Sequence, residues 1–262
     1  MTPSFPLVAG TVSAQLPIQR TWKPAQAVLL TPGGDWYLRT LPTGEHFEWC
    51  LKFTGLTIAE AQTLLQFHQE VRGSYHSFRF CDPLSNLLAW SEDPTQAPWT
   101  KTGALAITLV PSPNTGTCQT AEVLNPSGSE VLLQQAVGCS PIFAYSMSVM
   151  ARSNSQSTMG IVIGVQRRSV ALSGQWQEYQ FTAVPGGVAD QVVFAIAIPM
   201  GGEVELGGVH AELGACSPEY RKSEGRQGYF PKARFKDDLL VVCSEECGSI
   251  SVEATVVAGL GE

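Results

Sequence analysis

Charge is scarce in this chain. Only 15% of its 262 residues are charged, and 23 acidic side chains against 16 basic ones leave a formal net charge of -7. A protein that grips nucleic-acid phosphates needs the opposite balance, although such a surface suits a channel past which DNA slides. Long apolar runs are also missing. None approaches the ~18 residues of a membrane span, so no stable membrane insertion is expected. The opening MTPSFPLVAGTVSAQ lacks the basic start and apolar core of a secretory signal, which points to synthesis in a cytoplasm. Histidine is rare: His46, His68, His76 and His210 are all there are. None sits in a recognisable nucleophile context and no G-x-S-x-G occurs, so structural roles are expected for all four, with no catalytic group and no cofactor.

The seven cysteines are odd in number, and their scatter does not resemble a secreted disulfide framework. Most read as small core hydrophobes with reduced thiols. Cys243 and Cys247, with three residues between them, are the local exception. With Cys216 or Cys81 they could complete a zinc or iron-sulfur site, although the spacing fits neither the close-set zinc pairs nor the common cluster runs. A disulfide across a hairpin is the other alternative, and reduced thiols are the default.

What the chain has in quantity is turn residues, 25 Gly and 17 Pro, within a composition that is 44% apolar. That combination predicts a mainly β protein of short strands with packed cores. Two apolar runs between Gln26 and Thr40 flank Pro32-Gly33-Gly34 and predict a hairpin. From His46 to Phe53 alternate residues Phe47, Trp49, Leu51 and Phe53 share one face, the mark of a half-buried strand. The single expected helix follows. Thr57 and Glu60 make a capping box, Ile58, Ala61, Leu64, Leu65, His68 and Val71 form the stripe, and Gly73 supplies the stop. A strand from Tyr75 to Phe80 then ends at Asp82-Pro83.

The stretch Asp82 to Trp99 is a seam. Beyond it strands are expected at Leu105 to Val110, Phe143 to Arg152, Met159 to Val165, Tyr179 to Ala183, Val192 to Pro199 and Val204 to Val209, the pattern of a jelly-roll sandwich. After Tyr220 a basic connector containing Arg221, Lys222, Arg226, Lys232, Arg234 and Lys236 leads to a terminal hairpin, Leu239 to Cys243 and Ser249 to Val257, too small to bury itself. It is expected to join the sheet begun before residue 83. The domains are then 1–86 plus 226–262, a discontinuous scaffold, and 87–225, an inserted jelly roll.

Two resemblances bear on these segments. WCLKFTGLTIAEAQTLLQFHQEVRGSYHSFRFCDP, from Trp49 to Pro83, and the terminal YFPKARFKDDLLVVCSEECGSISVEATVV are similar to distal-tail or minor-tail (tail-tip) proteins of long-tailed, non-contractile bacteriophages. NLLAWSEDPTQAPWTKTG, SGQWQEYQFTA and GVHAELGACSPEYRKS resemble phrases of galactose-binding-like, carbohydrate-binding jelly-roll modules, with His210-Ala211 and Ser223 as departures from the usual pattern. The first resemblance implies a virion protein of the phage tail tip or baseplate. It would form a closed ring, trimer or hexamer, through which DNA only passes, with tail-tube, tape-measure and tail-hub proteins as partners. Arg226, Lys232, Arg234 and Lys236 are the candidate assembly contacts, a solvated linker being the alternative reading. The second resemblance allows, as an alternative function, a carbohydrate-binding adhesin for host surface glycans. Trp90, Trp99 and Trp176 are its conceivable stacking platforms, although the family phrases put Trp99 and Trp176 in the framework and hence the core. His210 and Glu212 share a strand face, with Glu212 expected to be structural. Glu203 and Glu205, and Asp237 and Asp238, are read as solvated pairs and not as acid/base or calcium sites.

Overall fold

The structure is a computed structural model that describes residues 2–8, 15–30, 36–40, 44–112, 119–155, 157–186, 190–214, 219–244 and 249–260. It divides into two compact units, residues 1–80 with 230–262 and residues 81–229.

In unit 1 the strands are β1 (Gln15–Lys23), β2 (Gln26–Leu30), β3 (Trp36–Thr40), β4 (His46–Leu56) and β5 (Phe78–Cys81), with the helix α1 (Ile58–Glu70) between the last two. β2 and β3 pair antiparallel as a separate ribbon; the Pro32-Gly33-Gly34 turn lies outside the described residues. β4 buries Trp49, Leu51 and Phe53 as the alternation requires. Gly55 then adopts φ +68, and opposite it the register slips from Phe53 to Leu56. This bulge flips the parity, so that Leu56, an even-numbered residue, is buried with the odd-numbered ones.

The helix starts where the capping box puts it. Glu60 N–H donates to Thr57 Oγ1 at 3.3 Å, and Thr57 N–H donates to Glu60 Oε2 at 2.8 Å. Its buried stripe is Ala61, Leu64, Phe67 and Val71, whereas Ile58 stands 63% exposed. Ile58 occupies the first turn, before the helix meets the sheet, and the large ring of Phe67 does the packing expected of its neighbours. At the far end Gly73 has φ +60 and donates its N–H to His68 O at 2.9 Å. No side chain fits there: a Cβ on Gly73 would lie 2.9 Å from the Asp238 Cα. Tyr75 and His76 follow in the turn before β5 and not in a strand.

Ten further strands make unit 2: β6 (Thr100–Lys101), β7 (Ala106–Pro111), β8 (Gln119–Leu124), β9 (Val131–Val137), β10 (Tyr145–Arg152), β11 (Thr158–Ile163), β12 (Gln166–Ala171), β13 (Gln177–Ala183), β14 (Val192–Ile198) and β15 (Glu203–Leu213). The chain then returns to unit 1 through β16 (Tyr229–Phe235), β17 (Val241–Ser244) and β18 (Ile250–Gly259). These complete a six-stranded sheet of order β1-β4-β18-β16-β5, with β17 also paired to β18. The terminal hairpin thus lies on β4, where Val256 is opposite Trp49 and Ala254 opposite Leu51. The core over this sheet is aromatic. Phe5, from the N-terminal segment hydrogen-bonded to Arg79, has its ring centroid 5.7 to 5.8 Å from those of Phe67, Phe78 and Phe80.

Unit 2 is a sandwich of two five-stranded antiparallel sheets, β13-β10-β15-β8-β7 and β12-β11-β14-β9-β6. The protein is mainly β with a single described helix, and this pair of sheets is its jelly roll. Tyr145, Met147, Val149 and Ala151 of β10 share one buried cluster with Met159, Ile161 and Ile163 of β11 and Phe194, Ile196 and Ile198 of β14.

The seam residues fasten the ends of unit 2. Asp82 N–H donates to Gly228 O at 2.8 Å and Gly228 N–H to Asn86 O at 2.7 Å, close to the first and last residues of the unit, Cys81 and Tyr229. The buried Asn86 amide donates to Val209 O at 2.7 Å and Arg221 O at 3.2 Å, while its Oδ1 accepts from Leu88 N–H and Ala211 N–H, each at 3.0 Å. Ser91 Oγ meets Tyr220 OH at 2.7 Å, and Lys222 pairs with Glu92 at 3.5 Å. Entry strap 86–92 and exit strap 220–224 are therefore laced together.

Candidate functional site

Because β10 turns its odd-numbered residues inward, Ser146, Ser148, Met150 and Arg152 face out of the sandwich. The register extends this row sideways. Ser146 lies opposite Thr182 of β13 and Glu212 of β15, Ser148 opposite Gln180 and His210, Met150 opposite Glu178 and Gly207, and Arg152 opposite Glu205. One sheet face thus carries a polar row with a closed end and an open end.

The closed end lies under the exit strap. Ser146 Oγ contacts Thr182 Oγ1 at 2.7 Å and donates to Gly214 O at 2.6 Å. Arg221 pairs with Glu212 at 3.4 Å and also donates to Pro83 O at 2.9 Å. The His210 ring, 1% exposed, sits 6.3 Å edge-to-face from Tyr220, and among the described residues its Nε2 has no hydrogen-bond partner. Burial, with a smaller contribution from the nearby Arg221 cation, lowers the His210 pKa to about 4. This imidazole is neutral at physiological pH and belongs to the framework, as does Glu212.

At the open end, Arg152 donates from Nη2 to Glu205 Oε2 at 2.7 Å, and its guanidinium carbon lies 5.0 Å from the Trp176 ring centroid. Among the described residues, neither Arg152 Nε nor Trp176 Nε1 has a hydrogen-bond partner. Glu178 and Gln180 are exposed beside a half-buried Met150. The placement of Trp176 corrects its expected role: the ring is half-buried outside the main cluster, because Gln175 and Gln177 around it are exposed and the strand it introduces lies at the sheet edge. Trp99 is a core residue as expected, 5% exposed, with Nε1 donating to Trp90 O at 2.9 Å. Trp90 packs partly against the same cluster. Arg152, Glu178 and Gln180 went unnoticed in the sequence, although the alternation from Phe143 to Ala151 already assigns 146, 148, 150 and 152 to one face.

The remaining candidates lie elsewhere. Cys243 is exposed on β17, beside a cavity of about 230 Å³ lined by Lys52, Thr54, Val241 and Glu253 among others. Cys216 and Cys247 lie outside the described residues, and among the described residues no group of three potential metal ligands comes together. Cys139 is buried, but Cys50 is only half-buried on the outward face of β4, so the cysteines are not uniformly core residues. Arg226 is exposed in unit 2. In unit 1, Lys236 pairs with Glu48 at 3.2 Å, Arg234 donates to Ser74 O and Tyr75 O, and Lys232 is exposed. Much of the basic connector therefore meets acceptors inside its own chain. Two acids read as solvated are also engaged: Glu205 by Arg152, and Asp238 by Ser74, whose Oγ lies 2.6 Å from Asp238 Oδ1.

No family model and no curated protein matches the chain. Among solved structures it is similar to an enzymatically active domain of tailspike protein 4 from bacteriophage CBA120, with TM-score 0.39 and 15% identity over 50% of this chain and 22% of that one. It is also similar to TmCBM61, solved with β-1,4-galactotriose, with TM-score 0.39 and 13% identity over 49% of this chain and 98% of that one. A third is the C-terminal family 22 carbohydrate-binding module of Clostridium thermocellum Xyn10B, with TM-score 0.42 and 14% identity over 53% of this chain and 100% of that one. At these scores and identities the likenesses assign no ligand to this chain, and its jelly roll stands on its own strand order.

Proposed function

We propose that the chain is a non-catalytic binding protein of a phage virion, whose jelly-roll unit recognises carbohydrate, a host surface glycan, through the open end of its polar sheet face. The observation that carries this reading is Trp176: a half-buried indole at the sheet edge, held by the Arg152–Glu205 pair and flanked by exposed Glu178 and Gln180. An aromatic ring bordered by planar hydrogen-bonding groups suits a pyranose, which offers an apolar C–H face and a rim of hydroxyls. The carboxylates of this row that are tied to arginines, Glu205 and Glu212, serve to position and not to transfer protons. A panel of bacterial surface polysaccharides tests the proposal. Binding should fall at least about tenfold in Trp176→Ala with the melting temperature unchanged, since the ring lies outside the core. Failure of the unaltered protein to bind any glycan would remove the reading.

A second role is favoured by the edge of unit 1. All four residues of β17 are exposed, with Val241 at 56% and Val242 at 41%, and Leu239 before them at 82%. An exposed apolar edge strand invites another strand, and a heterologous contact either closes into a ring or grows into a filament. In this role unit 1 assembles with copies of itself into the tail-tip ring, a trimer or hexamer meeting tail-tube, tape-measure and tail-hub proteins. The expected result is a closed oligomer by light scattering that Val241→Lys with Val242→Lys reduces to monomer. A wild-type chain that stays monomeric and captures no tail protein rules the role out.

A further inference from the structure

We infer, resting on the assembly role proposed for unit 1, that the free edge of β1 is the surface on which β17 of a second copy docks, with Trp22 as the anchor of a head-to-tail contact. β1 and β17 close opposite sides of one stretch of sheet, β1-β4-β18-β17, and among the described residues each pairs only with its inner neighbour. Gln19 to Lys23 of β1 and Val241 to Ser244 of β17 are exposed throughout. Each edge therefore offers unpaired backbone groups to another strand. Each also carries large apolar side chains in the open: Trp22, 50% exposed, on one side, and Leu239, Val241 and Val242 on the other. Tryptophan is prominent among the contact residues whose truncation costs an interface most.

Charge decides which edges meet. β1 carries Arg20 and Lys23 and no acid, whereas residues 237–247, which contain β17, carry four acids and no base. Two β1 edges together would set cation against cation, and two β17 edges acid against acid; β1 against β17 sets cation against acid. Direction agrees. Pairing is antiparallel at each step of β1-β4-β18-β17, so β1 and β17 run in opposite senses. A rotation about an axis along the strands carries one copy to the next without reversing them, and β17 then meets the neighbour's β1 antiparallel, continuing the ladder. The faces match too. Trp22 lies opposite Phe47 and Val242 opposite Val252, both of which pack into the unit 1 core. In a sheet continued across the junction, Val242 set opposite the neighbour's Trp22 shares its face, and the indole covers the valine.

Light scattering of the full chain across concentration tests the contact. Trp22→Lys should give a folded monomer, as should Val241→Lys with Val242→Lys. Mixed, the two variants should form a one-to-one heterodimer, because the first keeps an intact β17 and the second an intact β1, which leaves one working junction and no means of growth. Trp22→Ala adds no charge and should weaken assembly at least about tenfold, and it stands in if Trp22→Lys fails to fold. A wild-type chain that stays monomeric overturns the assembly role and this contact together. With a wild-type oligomer in hand, β1 is ruled out as the receiving edge if the Trp22 variants assemble as wild type does, or if the mixture holds no heterodimer, the result expected where like edges pair with like.

Discussion

Replacing Asn86 by alanine should strip about 4 kcal/mol from the jelly-roll unit, much of the stability that a domain of its size holds in reserve. The side chain satisfies four backbone groups belonging to three segments: Val209 O and Ala211 N–H on β15, Arg221 O on the exit strap, and Leu88 N–H on the entry strap. Each buried group orphaned this way costs roughly 1 to 3 kcal/mol, less what a penetrating water recovers. The loss should appear as a lower urea midpoint for unit 2 with the transition of unit 1 unmoved. Asn86→Asp is expected to be no milder, because it keeps the acceptor, loses both donated bonds and places a charge in a buried site. A midpoint within experimental error of wild type for Asn86→Ala would show that the lacing of the two straps does not depend on this residue.

Acid should weaken the same unit through His210. The His210 pKa lies at about 4 when folded, against about 6.5 for an unperturbed imidazole. Above about pH 6.5 the ring is neutral in both states and its burial is unopposed. Below that the unfolded chain takes up a proton that the folded chain refuses until about pH 4. Stability is therefore lost as pH falls through this window, by about 3 kcal/mol in full at roughly 1.4 kcal/mol per pH unit. The groups around the ring, Arg221, Glu212, Tyr220, Ser148 and Gln180, include one cation that opposes protonation and one carboxylate already paired with that cation. Carboxylates held below their ordinary values, Glu48, Asp93, Glu130 and Asp238, weaken the fold only at still lower pH. Urea midpoints for unit 2 between pH 7 and 4.5 should slope for wild type and be nearly flat for His210→Gln. Equal slopes would mean that the imidazole is solvated in the folded chain.

Where one physical signal dominated, the sequence was readable. The odd-numbered residues of β4 and the Thr57–Glu60 box each answer to a single local rule, and both stand as expected. β1 escaped notice because Gln15 to Lys23 lies at a sheet edge, contains a proline and mixes polar with apolar residues, so pairing with β4 defines it more than its own pattern does. β8, β9 and β12 escaped for related reasons. In β9, the buried Gln135 interrupts the apolar alternation because its amide clamps Ala89, accepting from its N–H at 3.1 Å and donating to its O at 2.6 Å. In β12 four of six residues are exposed polar ones. The candidate site was less legible still. Trp176 carries the same residue type as Trp99, and only the strand register reveals that one ring fills the core and the other lies at an edge over Arg152.

The chain leaves the six-stranded sheet of unit 1 after Phe80 on β5 and re-enters it at Phe230 on β16, and these two strands are hydrogen-bonded neighbours. Both Phe80 and Phe230 are buried in the unit 1 core, and of residues 81 to 229 that sheet takes only Cys81, the last of β5, and Tyr229, the first of β16. Such a junction behaves as a socket. Any module whose own ends lie side by side could occupy it without disturbing the framework, and a lineage could exchange the inserted unit there by recombination while keeping the sheet unchanged.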